Sequence, residues 1–173
     1  MNIKKELVKD YFIKTDYRVD STFWKPYMTG EWQDSNKLYS EYVSDATGGK
    51  EMNKFFVQEI HNFDRPLLKL IKQLWNEFDI RPRDFRCNFF RVLEGGSLPV
   101  HVDVKSECSF LIPITKNTGE LYVEDNNDRE SLVYDTLTVL NTKKPHGVES
   151  PTQERIVFHM GIHDTPFGDL NVA

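Results

Sequence analysis

The sequence predicts a mainly β protein with helices packed on one face, an antiparallel sandwich or barrel of jelly-roll type. Three observations carry this. From residue 84 onward, short apolar or alternating runs recur between clusters of turn-forming residues. Ahead of them, residues 52–78 place apolar side chains at helical spacing. The length of 173 residues, with 39% hydrophobic and 13% aromatic content, provides one sizeable core. About eight short strands beside a helical layer are a known solution for burying such faces.

The elements follow in order. Residues 1–45 mix charges with aromatics (Tyr11, Phe12, Tyr17, Phe23, Trp24, Tyr27, Trp32, Tyr39, Tyr42) without a sustained period, which predicts short strands and loops. Those rings either extend the core or line a pocket. "SDATGGK" (44–50) is a connector that lacks the spacing of a phosphate-binding loop. Met52, Phe55, Phe56, Ile60 and Phe63 then predict a first helix, with His61 off its stripe as a surface residue. In "DRPLLKLIKQLWNEF", Leu67, Leu70, Ile71, Leu74, Trp75 and Phe78 make a second apolar stripe, opposite Lys69, Lys72, Gln73 and Asn76. Asp64 and Pro66 mark its start.

Strands are expected at 84–93, 99–104, 107–114, 120–124, 130–134, 136–141, 146–149 and 154–162. "EGG", "KNTGE", "EDNNDRE" and "ESPTQ" supply the turns between them. The chain reads as one domain: an N-terminal extension with supporting helices (1–83), a jelly-roll core (84–163) and a tail (164–173).

Charge and composition exclude several classes. A net charge of −5 disfavours a nucleic-acid partner, which needs a basic face. The local basic clusters, "RPRDFR" (81–86) and Lys143–Lys144, read as solvated faces. No apolar run approaches a membrane span, and "MNIKKELVKDYF" lacks a signal-peptide core, so a soluble, cytoplasmic protein is expected. Cys87 and Cys108 lie in strand-like runs without metal-ligand spacing and read as reduced core thiols.

The chemistry-bearing residues begin in "LPVHVDVKSECSFLIPI" (98–114). On a strand, His101 and Asp103 project to one side while Val100, Val102 and Val104 project to the other. Such a pair can share a proton, bind a metal or simply hydrogen-bond. A second histidine, His146 in "KKPHGVES", follows 43 residues after Asp103. In "ERIVFHMGI" the large apolar set Ile156, Phe158, Met160 and Ile162 suits the layer under the helices, so Arg155, Val157, His159 and Gly161 face the interior.

An inward Arg155 needs an anion, either an internal carboxylate or a ligand. Two imidazoles and one carboxylate on one face of a metal leave three positions open, as in non-haem Fe(II) oxygenases. His159 shares Arg155's face and is either a substrate contact or a hydrogen-bonded core histidine. Arg91, in "NFFRVLEGG", either positions substrate or pairs with a carboxylate. His159 and His163 straddle a strand end and make a poor zinc pair.

These residues resemble the Fe(II)- and 2-oxoglutarate-dependent dioxygenases of the double-stranded β-helix fold. The resemblance covers about residues 86–163 and rests on "HVD" (101–103), "PHGV" (145–148) and "RIV" (155–157), in the family's order. A glycine turn, "EGGSLPVH" (94–101), precedes the first ligand as in prolyl and aspartyl/asparaginyl hydroxylases.

The resemblance implies that His101, Asp103 and His146 bind Fe(II). It also implies that Arg155 binds the distal carboxylate of 2-oxoglutarate, with O2 as the other cosubstrate. The implied reaction is hydroxylation of an amino-acid side chain, free, peptidyl or in a protein, with release of succinate and CO2. Many relatives place a serine two residues after the arginine, where this chain has Val157. Ser109 or Tyr122 is the expected replacement. Two alternatives stand beside this reading: a nucleic-acid demethylase on the same scaffold, which the acidic charge disfavours, and a non-catalytic cupin-like metal-binding protein, which has no need of Arg155.

Overall fold

The computed structural model describes residues 2–38, 52–116, 120–123, 128–148 and 151–173, with side chains described for all of these except 120–123 and 128–130. The N-terminal part comprises β1 (Lys5–Val8), β2 (Phe12–Arg18), a 3-10 segment (Ser21–Tyr27), β3 (Gln33–Asp34), α1 (Ser35–Leu38), β4 (Asn53–Glu59) and α2 (Arg65–Glu77). The core strands follow as β5 (Phe85–His101), β6 (Cys108–Pro113), β7 (Glu120–Val123), β8 (Asp128–Ser131), β9 (Thr136–Leu140), β10 (His146–Val148) and β11 (Arg155–Ile162).

The strands lie in the order β1-β2-β9-β6-β11-β5-β10-β7-β8, with β4 on β5 and β3 on β4. All pairings are antiparallel. β5 belongs to two sheets, because its first half pairs with β11 and its last residues with β10. The result is a major sheet (β1-β2-β9-β6-β11-β5, extended by β4 and β3) facing a minor sheet (β5-β10-β7-β8). This interleaved pairing is the double-stranded β-helix, the mainly β jelly roll that the strand pattern predicts.

The crossing from one sheet to the other explains a difference from the sequence reading. A turn is expected near 94–96, yet β5 runs without interruption for 17 residues. Kept straight, it would span about 56 Å, longer than a domain of this size. It bends instead, at a bulge where Gly95 takes φ 73° and the register against β4 shifts between Asn53 and Phe55. A Cβ on Gly96 would lie 2.7 Å from the Asn53 carbonyl oxygen, so the close crossing needs a glycine.

Residues 53–59, expected as helix, form β4 on the edge of β5. Phe55 and Val57 are buried together against Val92, a period-2 pattern hidden within the same apolar residues that fit a helix. α2 is the helix expected. The Asp64 carboxylate caps it by accepting from the Leu67 amide at 3.1 Å, and Leu67, Leu70, Ile71 and Leu74 are buried. Their partners include Phe110, Ile112, Phe158, Met160 and Ile162 on the outer face of the major sheet. His61 is exposed, and Cys87 and Cys108 are free buried thiols, as expected.

The N-terminal aromatics in the described residues go to the core. Trp24 stacks on Phe158 with centroids 4.2 Å apart, and Tyr17 and Tyr27 belong to the same cluster. Tyr39, Tyr42, the whole "SDATGGK" connector and the tips of the "KNTGE" and "EDNNDRE" turns lie outside the described residues. Among the described residues, no helix is long and apolar enough to cross a membrane.

Candidate metal centre

The minor sheet positions the two histidines. His101 ends β5 and His146 begins β10, and the two are direct cross-strand partners. Their ring centroids are 4.3 Å apart. Each ring is held by its Nδ1, which lies 2.8 Å from the Pro99 carbonyl oxygen in His101 and 2.7 Å from the Lys144 carbonyl oxygen in His146. With Nδ1–H donating to a carbonyl, each Nε2 points inward and is the atom left to ligate a metal once it gives up its proton.

Asp103 meets both rings. Its Oδ1 lies 3.0 Å from His101 Nε2 and 3.4 Å from His146 Nε2. Ligand atoms of all three residues fall within 4.8 Å of one another. Burial would raise the Asp103 pKa, but hydrogen bonds and charge from the two histidines outweigh it and hold the carboxylate well below its usual range. For His101, burial disfavours the charged ring, yet the bond and charge of Asp103 leave its pKa raised.

The sequence reading places Asp103 on the same strand as His101, with the valines in the barrel wall. The strand in fact ends at His101, and Asp103 sits in the loop beyond it. Val102 and Val104 are exposed at 37% and 54% and are not wall residues.

The three ligand candidates open into a cavity of about 220 Å³ between the sheets. Arg155, Val157, His159 and Gly161 line it from β11, as their alternation predicts. Arg155 is 5% exposed, and burial lowers its pKa to about 10. Among the described residues no carboxylate pairs with it, and its Nε has no hydrogen-bond partner. A guanidinium left this way inside a fold is costly, so the site fits an anionic ligand.

The other candidates divide. Ser109 lines the cavity but bonds His159, Oγ to Nε2 at 2.9 Å. It stands opposite Gly161, six residues from Arg155 on β11, or roughly 20 Å along the strand. Ser109 therefore does not share one carboxylate with Arg155. Tyr122 pairs with Gly147 on β7, beside His146, and its side chain lies outside the described residues.

Arg91 is not brought to the cavity. Its guanidinium pairs with Glu154 at 2.6 Å and lies over Trp32, because its side chain alternates away from the cavity-lining Asn88 and Phe90. Lys144 likewise is no free solvated charge: it pairs with Asp10 at 2.9 Å. His163 borders the cavity, with Nδ1 bonded to Asp84 at 3.1 Å, and among the described residues His159 and His163 form no metal cluster.

His159 is a buried ring stacked on Phe90, with centroids 4.2 Å apart, and among the described residues its Nδ1 has no partner. Burial pushes its pKa down to about 4, so the ring is neutral. Asn88, its cross-strand partner, was missed by the sequence reading, and its buried Oδ1 also lacks a partner among the described residues. The signal was available: in "FRCNFFRV" alternation puts Asn88 on Phe90's face, a lone amide within a core run.

No protein-family model matches the sequence, and no curated protein matches it. Solved structures do resemble the fold. A prolyl-4-hydroxylase from Pseudomonas putida superposes with a TM-score of 0.53 at 16% identity, covering 84% of this chain and 99% of that one. A viral collagen prolyl hydroxylase from Paramecium Bursaria Chlorella virus-1, solved with 2-oxoglutarate, gives a TM-score of 0.53 at 12% identity over 76% and 94% of the two chains. A Trichoplax adhaerens prolyl hydroxylase, bound to a peptide of the hypoxia inducible factor oxygen degradation domain, gives 0.52 at 12% identity over 83% and 89%. At these identities the likeness is one of fold: this chain shares the double-stranded β-helix of prolyl hydroxylases.

Proposed function

We propose that this chain is an Fe(II)- and 2-oxoglutarate-dependent oxygenase that hydroxylates an amino-acid side chain. The observation that carries the reading is the buried Arg155, without a carboxylate partner among the described residues, in the same cavity as the converging His101, Asp103 and His146. Two imidazoles and one carboxylate suit Fe(II) and leave positions open for cosubstrate and O2. With 2-oxoglutarate and O2, bound iron supplies the oxidising power for a C–H bond while the cosubstrate becomes succinate and CO2.

The protein's own groups divide the work. His101, Asp103 and His146 hold the metal, and the Pro99 and Lys144 carbonyls hold the rings. Arg155 takes the distal carboxylate of 2-oxoglutarate. Leu111, Leu140, Val148 and Val157 line the cavity with apolar surface, which strengthens the Arg155 ion pair by excluding water. The fold likeness to a peptide-bound prolyl hydroxylase supports a peptidyl or protein target over a free amino acid.

Arg155 separates this reading from a metal-binding barrel without chemistry. In calorimetric titration of the Mn(II)-loaded protein, 2-oxoglutarate binds wild type, and Arg155→Ala weakens it about 100-fold, the range for leaving one partner of a buried charge pair unpaired. Equal affinity in the two proteins would remove the anion site and favour the metal-binding barrel.

A further inference from the structure

Asp103 lies two residues beyond His101, whose pairing with His146 is the last rung of the β5 ladder. No strand pairing therefore fixes its backbone. What does fix it comes from the 141–144 turn that leads into His146. The Asp103 amide donates to the Thr142 carbonyl at 3.0 Å. The Lys143 ammonium donates to the carbonyls of Asp103 at 3.0 Å and Val104 at 3.3 Å, and the Thr142 hydroxyl donates to the Ser106 carbonyl at 2.8 Å.

The far end of this loop is held against β11. The Glu107 amide donates to the Ile162 carbonyl at 2.8 Å. Gly161 lets the loop approach, since a Cβ there would come within 2.8 Å of Ser106 Oγ.

We propose that Lys143 is a positioning residue for the metal centre, locking the Asp103 loop to the His146 turn so that the three ligand groups converge before metal binds. The inference rests on the metal reading above. An isolated half-exposed lysine ion pair contributes little, and the Lys143–Glu107 contact at 3.7 Å is of that kind. Two charge-assisted bonds to consecutive carbonyls of one loop are different, because they restrain the backbone that aims a ligand. Lys143, the donor of both, is on the turn that leads into one ligand, and the two acceptor carbonyls are on the loop that carries another.

The test uses Co(II) titration of metal-stripped wild type, Lys143→Ala, Lys143→Arg and Glu107→Gln, with hydrogen exchange over residues 102–107 of the same metal-free proteins. Lys143→Ala is expected to weaken Co(II) binding about tenfold, the low end for groups that orient metal ligands, and to speed exchange across the loop. The thermal midpoint should not change. Lys143→Arg, which keeps the donors, restores most of the affinity, and Glu107→Gln matches wild type. Unchanged affinity in Lys143→Ala, equal losses in the Ala and Arg variants, or unchanged loop exchange would overturn the proposal. If wild type itself bound no Co(II), the metal reading would fail, while the exchange data would still report on the lock.

Discussion

His159 shows how a single buried side chain constrains the whole protein's response to pH. Its ring titrates at about 4 in the folded chain, pushed down by burial. In the unfolded chain it titrates at about 6.5. The unfolded state therefore takes up a proton below pH 6.5 that the folded state refuses until about pH 4. Stability from this group is complete above pH 6.5 and falls as pH drops through that window, by on the order of 3 kcal/mol. Urea unfolding at pH 7.5 and 4.5 should show a smaller acid loss in His159→Phe, which keeps a ring against Phe90, than in wild type. Identical acid losses would mean that His159 is not buried neutral. At this same scale the sequence was informative about identity and uninformative about reach. The cavity position of Arg155 was legible because strand alternation assigns faces, whereas Asp103 reaches His101 from a loop that alternation does not describe. Ser109 was misplaced because alternation gives a face and no position along the strand, and only the register against Gly161 supplies that.

Elements differ in how much of themselves they announce. α2 was legible because a 13-residue helix with one apolar stripe and a capping aspartate has no competing period. The Asp64 carboxylate both caps α2 and accepts from the Tyr27 hydroxyl at 2.6 Å, tying the 3-10 segment to the helix. Asp64→Ala should cost about 2 kcal/mol in chemical denaturation, combining a lost cap with an unpaired phenol. A loss below about 0.5 kcal/mol would show that packing of Leu67, Ile71 and Leu74 alone sets the helix. β4 was illegible for the opposite reason. "NKFFVQE" satisfies both periods over seven residues, and the free edge of β5 decides between them, a partner distant in sequence. The break expected at Gly95–Gly96 was half right: the glycines do mark a change of direction, but one that preserves the ladder and passes the chain between sheets.

At the scale of the molecule, strand count and order of motifs were enough to predict the barrel, because the core strands other than β5 are short runs between turns. The sheet order was not readable, since β2, β9, β6, β11 and β5 become neighbours only through long-range pairing. The N-terminal half also does more than support: β1 and β2 lengthen the major sheet, and β4 widens it at β5. The site is a product of that order. β10 must enter beside the end of β5 for His146 to meet His101, and β11 must lie beside the start of β5 for Arg155 to face the same cavity. The His101–Asp103–His146 cluster at one place and, at another, a buried Arg155 with no carboxylate partner among the described residues thus become one chamber only in the folded whole.

Visible absorption reports directly on whether metal and cosubstrate meet in that joint chamber. Metal-stripped protein, kept anaerobic, is titrated with Fe(II) and then 2-oxoglutarate, with Asp103→Ala alongside. Wild type is expected to give a visible band that requires both additions and is lost in the variant, while the variant's fold, read by circular dichroism, is retained. Folded wild type that gives no band with both additions, or a band that survives in Asp103→Ala, would contradict the joint chamber.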